Sequence, residues 1–492
     1  MKNWTRLAAA MFVCCIAAVS CSKGGEDPFL KIESQTTFSV AAENASGEIK
    51  ISSNVAWTIS GATGWCTPEV TSGSGSRTVA LTIADNDTRN PRSATLTVAS
   101  SQGKYAINVS QEGNMNLNFY EEGSYKAVEI NRQSNAVNIV IMGDGFILDD
   151  LTDGGAYDQA LDRAREAFFD IEPFRSYRDH FNVYYVYAES KQRGATYGYG
   201  YDGSTRQNFA SAVRNTAFSA SFTQEANSTA TSCDYQKVFN YARRVPVMKQ
   251  GADIVLDSDG NPVSGAITDP DNIINKTVII LVINDQRYAG TCIMYGSGAC
   301  IGMCPMSTSP GTMSFEATLR HEVGGHGFGR FADEYIYYDE ALPSSGGSYN
   351  ATNLAAWQGI GQYLNVSLAN VTDQAPSNWQ PFLADPETYP EVGFFEGACT
   401  YAKGIWRAEQ NSIMNDNVRY FNGPQAYFIY RKIKTLSNET PSWEEFVAND
   451  AARIREQANA NSAAVQNRMR WALGAGEKFI PLAPPILIGM PQ

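Results

Sequence analysis

The hydrophobic periodicity of the chain changes near residue 114. Residues 31–113 alternate apolar and polar side chains with a period of two, in segments such as IKISSNVAWTIS, RTVALTIAD, SATLTVASS and YAINVSQEG. Turn-rich pieces such as TSGSGS and DNDTRNP separate these segments. Short alternating segments at this spacing predict a small all-β sandwich.

Beyond residue 114 the pattern indicates a second kind of domain. Apolar runs such as VNIVIMGDGF, FNVYYVYAES and KTVIILVIND alternate with helical periodicity, as in YDQALDRAREAFFDIEPF. Strands that alternate with helices predict an α/β sheet. The tail PSWEEFVANDAARIREQANANSAAVQNRMRWAL predicts helices packed on this domain. DSDGNP at residues 257–262 predicts a hairpin turn, because it lacks the later Glu of a calcium loop.

The amino terminus, MKNWTRLAAAMFVCCIAAVSC, has the plan of an export signal. Two basic residues precede an apolar run that is too short to span a bilayer, and small residues lead into Cys21. This segment resembles a bacterial lipoprotein cleavage box, which implies lipidation of Cys21; an ordinary secretory signal is the alternative. We expect a signal peptide at residues 1–20, a polar tether at 21–30, and a lipid anchor at the outer membrane that holds the protein on the cell surface.

Composition narrows the chemistry that this chain can perform. With 38 basic and 51 acidic residues, its net charge of −13 does not favour nucleic-acid binding. It has three His residues, so a metal site needs another type of ligand as well. Export permits disulfides among the six cysteines beyond the signal, but spacing does not fix their pairing. These are Cys66, Cys233, Cys292, Cys300, Cys304 and Cys399. A thiolate zinc site in CIMYGSGACIGMC is disfavoured, because no C-x-x-C pair is present.

The candidate chemistry lies in FEATLRHEVGGHGFGRFADEY, residues 315–335. The zinc-peptidase pattern H-E-x-x-H places its two His about 40° apart around a helix. Here four residues separate His321 from His326, which places them about 140° apart on a regular α-helix. A π-bulge absorbs one extra residue, and Gly324 and Gly325 tolerate the irregular backbone that it needs. We therefore predict a deformed helix on which both imidazoles face one ion.

The residues that follow predict a third ligand. Gly329 favours a sharp turn out of the helix, after which the chain returns a ligand, as in the longer zinc-protease pattern. Because the remaining His180 lies at a strand edge and is predicted to be structural, a carboxylate is expected. We expect Asp333 to be that ligand, with Glu334 as the alternative.

Further candidates lie around this segment and downstream. Ser412-Ile413-Met414 resembles the Met-turn beneath the metal of metzincin proteases, and a buried Met in an ordinary turn is the alternative. Tyr335, Tyr420 and Arg407 are candidate oxyanion donors, although spacing assigns none of them. The Gly- and Cys-rich region 285–313 is expected to include an edge strand that pairs with extended substrate.

The first domain resembles a known family. Trp57, Trp65, SGSGSRTVALTI, NPRSATLTV and the closing VSQEG are similar to the BACON domain, an immunoglobulin-like module at the amino end of Bacteroidetes surface proteins. The match covers residues 31–113. The family name implies carbohydrate binding. We favour a spacer whose two tryptophans lie in the core.

The second domain, residues 114–492, resembles the IgA-peptidase family of secreted zinc metallopeptidases. HEVGGHGFGRFADEY, NIVIMGDGF, FNVYYVYAES and VIILVIND carry the resemblance, which covers about residues 130–430. It implies a zincin-like, metzincin-like α/β fold with a mixed sheet and an active-site helix, with C-terminal helices after this core. It also implies Zn²⁺ held by His321, His326 and Asp333, with Glu322 as the catalytic glutamate.

The sequence thus predicts a secreted, lipid-anchored zinc endopeptidase that hydrolyses extracellular proteins. Immunoglobulin A and mucin-type glycoproteins are the candidate substrates, with glycan contact through the N-terminal domain. The alternative is a catalytically inactive surface adhesin or glycan-binding lipoprotein.

Overall fold

Two units make up the chain, Met1–Leu117 and Asn118–Gln492. The structure is a computed structural model, and it describes residues 26–197, 212–222, 229–248, 253–265, 268–269, 272–347, 349–472 and 480–489. The predicted signal peptide and Cys21 lie outside these ranges. Within them, no helix combines the length and the apolar character needed to cross a membrane.

The first unit is built from two β-sheets that share one core. Its strands are β1 (Leu30–Ile32), β2 (Thr37–Val40), β3 (Ser46–Ser53), β4 (Ala56–Ser60), β5 (Cys66–Pro68), β6 (Ser72–Ser74), β7 (Arg77–Ile83), β8 (Arg92–Ser100) and β9 (Gly103–Gln111). One sheet has the order β1-β3-β7-β5 and the other β2-β9-β8-β4-β6. Ile49 and Val79 of the first sheet and Val98 and Ile107 of the second are buried in one cluster. The alternation therefore predicted the β-rich unit correctly.

The two tryptophans of this unit are used by the domain itself. Trp57 is 1% exposed, and its indole N–H donates to the Gly75 carbonyl at 2.8 Å. Trp65 is partly buried, and the guanidinium of Arg92 lies 4.6 Å from its ring centroid. Trp57 is thus a core residue, and a face of Trp65 is covered by Arg92.

The second unit contains a seven-stranded sheet and several smaller ones. Its strands are β10 (Tyr125–Ile130), β11 (Val137–Asp144), β12 (Phe181–Val186), β13 (Thr196–Tyr197), β14 (Ser221–Phe222), β15 (Thr231–Ser232), β16 (Val255–Leu256), β17 (Pro262–Ser264), β18 (Val278–Ile283), β19 (Thr291–Tyr295), β20 (Cys300–Pro305), β21 (Ile336–Ala341), β22 (Val366–Ser367), β23 (Phe395–Ala398), β24 (Thr400–Arg407) and β25 (Ile486–Ile488). The large sheet has the order β10-β12-β11-β18-β20-β19-β25.

Helices accompany this sheet. They are α1 (Ala156–Phe169), α2 (Tyr235–Ala242), α3 (Phe315–Leu319), a π-helix (Arg320–Phe328), α4 (Ala351–Gly359), α5 (Gln380–Leu383), α6 (Ile413–Asp416), α7 (Gly423–Leu436), α8 (Trp443–Asn449) and α9 (Ala451–Ala472). The predicted C-terminal helices are present as α8 and α9. The segment DSDGNP joins the antiparallel strands β16 and β17, as predicted.

The large sheet is mixed and its central strands are buried on both faces. Strands β12, β11, β18 and β20 are parallel neighbours, whereas β19 is antiparallel to β20. Along β11, Ile139 and Ile141 enter one core with α1 and α7, while Val140 and Met142 enter another on the opposite face. Continuous apolar runs are what a doubly covered parallel sheet requires. The π-helix packs on β20, where a Cβ at Gly302 would lie 2.5 Å from a methyl group of Val323.

We predict that Trp57→Ala destabilises the first unit by about 3–5 kcal/mol, because it empties a large buried site and removes an indole hydrogen bond. The matched control is Thr58→Ala, which changes an exposed position on the same strand. Urea unfolding of the full chain, followed by circular dichroism, measures both. A Trp57→Ala protein as stable as the control would contradict the core assignment.

Candidate metal centre

A widened helix brings the two spaced histidines together. The helix starts as α3, where the Ser314 hydroxyl caps it by accepting from the Ala317 N–H at 3.2 Å, and continues as the π-helix Arg320–Phe328. Hydrogen bonds in a π-helix run from i to i+5, as from the Gly329 N–H to the Gly324 carbonyl at 2.9 Å. The Nε2 atoms of His321 and His326 lie 3.1 Å apart. The irregularity predicted at the glycines is present, and it extends over nine residues rather than a single bulge.

Two of the glycines leave room for neighbouring side chains. A Cβ at Gly325 would lie 2.2 Å from the sulfur of Met414, and one at Gly324 would lie 3.2 Å from the ring of Phe174. Met414 is fully buried in the turn that Ser412 initiates, where the Ser412 hydroxyl accepts from the Met414 N–H at 3.1 Å. The turn at Ser412–Met414, called the methionine turn below, therefore lies directly against the π-helix.

Backbone carbonyls fix the orientation and the tautomer of both imidazoles. His321 Nδ1 lies 3.0 Å from the Ile413 carbonyl, and His326 Nδ1 lies 2.7 Å from the Phe331 carbonyl. A carbonyl oxygen only accepts, so each Nδ1 carries the hydrogen and donates it. The Nε2 atoms of both rings are thereby directed at the same point.

Asp333 completes the group. Its Oδ1 lies 3.1 Å from His321 Nε2 and 3.2 Å from His326 Nε2, and its Oδ2 accepts from the Tyr349 hydroxyl at 2.9 Å. In the described part of the chain, these are the side chains whose ligand atoms approach closely enough to hold an ion, all within 4.8 Å of one another.

The chain leaves the helix differently from the prediction. Gly329 has an ordinary helical φ of −69°, whereas Arg330 adopts the left-handed region with φ +56°. Gly329 is needed for space instead, since a Cβ there would lie 2.4 Å from the ring of Phe331. The buried Arg330 guanidinium donates to the Ala299 carbonyl at 3.3 Å and so anchors the turn. The expectation that Gly329 makes the turn was wrong.

Glu334, the alternative ligand, points into a different hydrogen-bond network. Its carboxylate accepts from the Ser412 hydroxyl at 2.6 Å, from Gln425 Nε2 at 2.8 Å and from Asn365 Nδ2 at 2.9 Å. Its own N–H donates to the Met414 carbonyl at 2.7 Å. Glu334 therefore joins the loop that leaves the π-helix at Arg330 (the exit loop) to the methionine turn. Asp333, rather than Glu334, lies next to the two histidines.

Glu322 lies beside the histidines with both carboxylate oxygens buried and without a hydrogen-bond partner. Burial raises its pKa to about 8. It faces the beginning of β19, where a Cβ at Gly290 would lie 3.1 Å from Glu322 Oε1. A buried carboxylate that makes no hydrogen bond is costly, and such groups concentrate at functional sites.

The three candidate oxyanion donors make different contacts. The Tyr335 ring lies 6.4 Å from that of His321, and its hydroxyl donates to the Leu482 carbonyl at 2.7 Å. Tyr420 and Arg407 donate to backbone carbonyls on the strands and turns around residues 396–411. Only Tyr335 of the three is in ring contact with a histidine of the site.

His180 and the six described cysteines do not belong to the group formed by His321, His326 and Asp333. His180 is buried, with Nδ1 2.7 Å from Asp179 Oδ1 and Nε2 3.4 Å from Glu439 Oε2. The six described cysteines are unpaired thiols. Burial raises the pKa of Cys292 and Cys304 well above its usual value, which disfavours the thiolate form that zinc would need.

Several residues that support the site carried no signal in the sequence. Tyr349 lies in a Gly- and Ser-rich loop with no motif around it, and its hydroxyl reaches Asp333. The carbonyls of Ile413 and Phe331 orient the imidazoles through backbone atoms, which residue types do not reveal. Asn365 comes from a distant loop, and its amide also accepts from the Ala332 N–H at 2.8 Å.

The first unit contains a match to a known family model. Residues 55–112 match the family model of the BACON domain, described as "Putative binding domain, N-terminal". No curated protein matches the chain. A solved structure of a Bacteroides ovatus GH5 xyloglucanase in complex with a XXXG heptasaccharide is similar at 30% identity and a TM-score of 0.17, over 19% of this chain and 20% of that chain. The chain therefore spans about a fifth of that enzyme.

We predict that Gly325→Ala lowers the stability of the second unit by about 1–3 kcal/mol, because its methyl group collides with the Met414 sulfur and displaces the turn. Gly327→Ala is the matched control on the same helix, since a Cβ there makes ordinary contacts at 3.4 Å or more. Thermal unfolding measures both variants. Equal melting temperatures would contradict the close packing of Met414 on the helix.

Proposed function

We propose that the second unit is a zinc-dependent endopeptidase of the IgA-peptidase type with a zincin-like fold. One observation carries the proposal: two imidazole nitrogens and a carboxylate oxygen converge at a fully buried point, with an unpartnered glutamate beside them. Neutral His ligands with one carboxylate form a donor set typical of catalytic zinc. The spacing and burial of these groups support the assignment.

The donor chemistry fits a dication. In the metal-ligating form, with each Nδ1–H donated to a backbone carbonyl, the two imidazoles and the Asp333 carboxylate would present only lone pairs to one another. Buried lone pairs that meet without a proton repel, and a cation between them removes that cost. The Tyr349 hydroxyl on Asp333 and the carbonyls on both histidines are the outer partners that such ligands require.

His321, His326 and Asp333 are the residues that would hold Zn²⁺. When bound, zinc acidifies water and polarises the scissile carbonyl. Glu322 then accepts the proton of the attacking water on a carboxylate oxygen and transfers it to the leaving amine. Its buried position beside the histidines, without a hydrogen-bond partner on either carboxylate oxygen, favours this role.

The first residues and the first unit suggest where the enzyme acts. We propose export, lipid anchoring through Cys21 and display at the outer membrane, with extracellular proteins as substrates. Immunoglobulin A and mucin-type glycoproteins are the candidates. The first unit then acts as a spacer, an interpretation that the burial of Trp57 favours. Glycan contact through the first unit is also proposed.

A second candidate is a catalytically inactive adhesin or glycan-binding lipoprotein. The description of the family model as a putative binding domain favours it. Zinc content combined with hydrolysis of casein separates the two candidates. A protein that contains no zinc and cleaves no protein substrate would support the adhesin.

We predict that Glu322→Gln retains zinc but lowers kcat/KM by at least about 10²-fold, because the amide cannot accept the proton of water. The substitution preserves volume, so folding is expected to be unchanged. Casein cleavage and elemental analysis are measured on the same preparation. Unchanged cleavage would remove Glu322 from the mechanism.

We also predict that His326→Ala and Asp333→Asn lose zinc, whereas Glu334→Gln retains it. The first two remove a ligand atom from the buried group, while the third changes only the network around Ser412. Elemental analysis after dialysis gives the zinc stoichiometry of each variant. Stoichiometric zinc in His326→Ala, or its loss in Glu334→Gln alone, would require a different ligand set.

A further inference from the structure

The candidate site is closed to solvent. His321, Glu322, His326 and Asp333 each have 0% exposed area. A peptide bond must reach Glu322 and the metal-binding group before it can be hydrolysed. Neighbouring parts of the protein therefore cover the candidate site.

The C-terminal segment Ile480–Pro485 is hydrogen-bonded to tyrosines that lie beside the candidate site. Leu482 is 0% exposed, and its carbonyl oxygen accepts hydrogen bonds from two hydroxyls, that of Tyr335 at 2.7 Å and that of Tyr337 at 2.9 Å. The ring of Tyr335 is stacked with the ring of His321 at 6.4 Å. One tyrosine thus links the carbonyl of this segment to a residue of the candidate metal centre.

The segment also follows the strand that borders Glu322. The Tyr288 hydroxyl donates to the Ile480 carbonyl at 2.6 Å. Tyr288 is two residues before Gly290, which faces Glu322. Farther along, β25 (Ile486–Ile488) pairs in parallel with β19 from Ile293 to Tyr295. The segment therefore leads from Tyr288, near the end of β19 closest to Glu322, into β25, and β25 is the strand added to β19.

Its composition suits such an occupant. Pro481, Pro484 and Pro485 fix their φ angles and lower the conformational entropy lost on docking. Leu482 lies between two of these prolines and places its side chain in a fully buried position.

We infer that Tyr335 and Tyr337 bind a main-chain carbonyl of an extended peptide substrate, and that the chain's own segment Ile480–Pro485 occupies this subsite. The folded enzyme is then self-inhibited, and substrate competes with the segment. The inference rests on the proposed peptidase function for its activity readout, whereas occupancy of the subsite by a peptide is measurable by binding alone.

The test uses the full zinc-loaded chain with Leu482→Ala, and with Ile486→Ala as the matched control. Ile486 follows the segment directly, at the start of β25, and is 37% exposed. Loss of the buried Leu482 side chain releases the segment, and kcat/KM toward casein is expected to rise about tenfold if the closed form predominates by that factor. The control stays within about twofold of the parent. Circular dichroism verifies folding, and a chain ending at residue 479 serves as the second opened variant.

A synthetic peptide of residues 480–489 provides the second readout. Calorimetry is expected to detect its binding to the opened variants, and weaker binding when Tyr337→Phe is added, because one donor to the carbonyl is lost. If the parent cleaves casein and both opened variants match it, or if the peptide does not bind, the inference is overturned. If the peptide binds in this Tyr337-dependent way while no variant cleaves casein, the subsite stands and the peptidase proposal fails.

Discussion

The spacing of His321 and His326 is the constraint on which the rest of the site depends. One residue more than the usual zinc-peptidase spacing turns the second imidazole away from the first on an α-helix, so the helix must widen. The π-helix over Arg320–Phe328 restores a common face and leaves the two Nε2 atoms 3.1 Å apart. The π-helix can pack against the methionine turn because Gly325 has no side chain, which leaves room for the Met414 sulfur.

Two chain segments meet at this helix, and each orients one of its histidines. The methionine turn supplies the carbonyl that orients His321, and the exit loop supplies the carbonyl that orients His326. Glu334 joins these two segments through Ser412 and the Met414 carbonyl. Glu334 thus has a positional role, whereas its neighbour Asp333 is the acid that lies against the histidines.

The sequence located much of this site because its residue types are rare in the chain. Two of three His within six positions, with Gly324 and Gly325 between them, predicted a deformed helix, and the apolar runs predicted the strands that position it. The exit turn was misassigned to Gly329, because the anchoring of Arg330 to the Ala299 carbonyl is a tertiary contact. The contact of Tyr349 with Asp333 and those of Leu482 with Tyr335 and Tyr337 were missed for the same reason, since they join residues that are not neighbours in the sequence.

X-ray absorption at the zinc edge of the loaded full chain tests the central claim most directly. Two imidazole nitrogens and the Asp333 carboxylate predict a first shell of nitrogen and oxygen at about 2.0–2.2 Å, with no sulfur. Second-shell scattering from two imidazole rings is expected to accompany it and to disappear in part in His326→Ala. A sulfur shell at about 2.3 Å would place the ion among the cysteines and contradict the account.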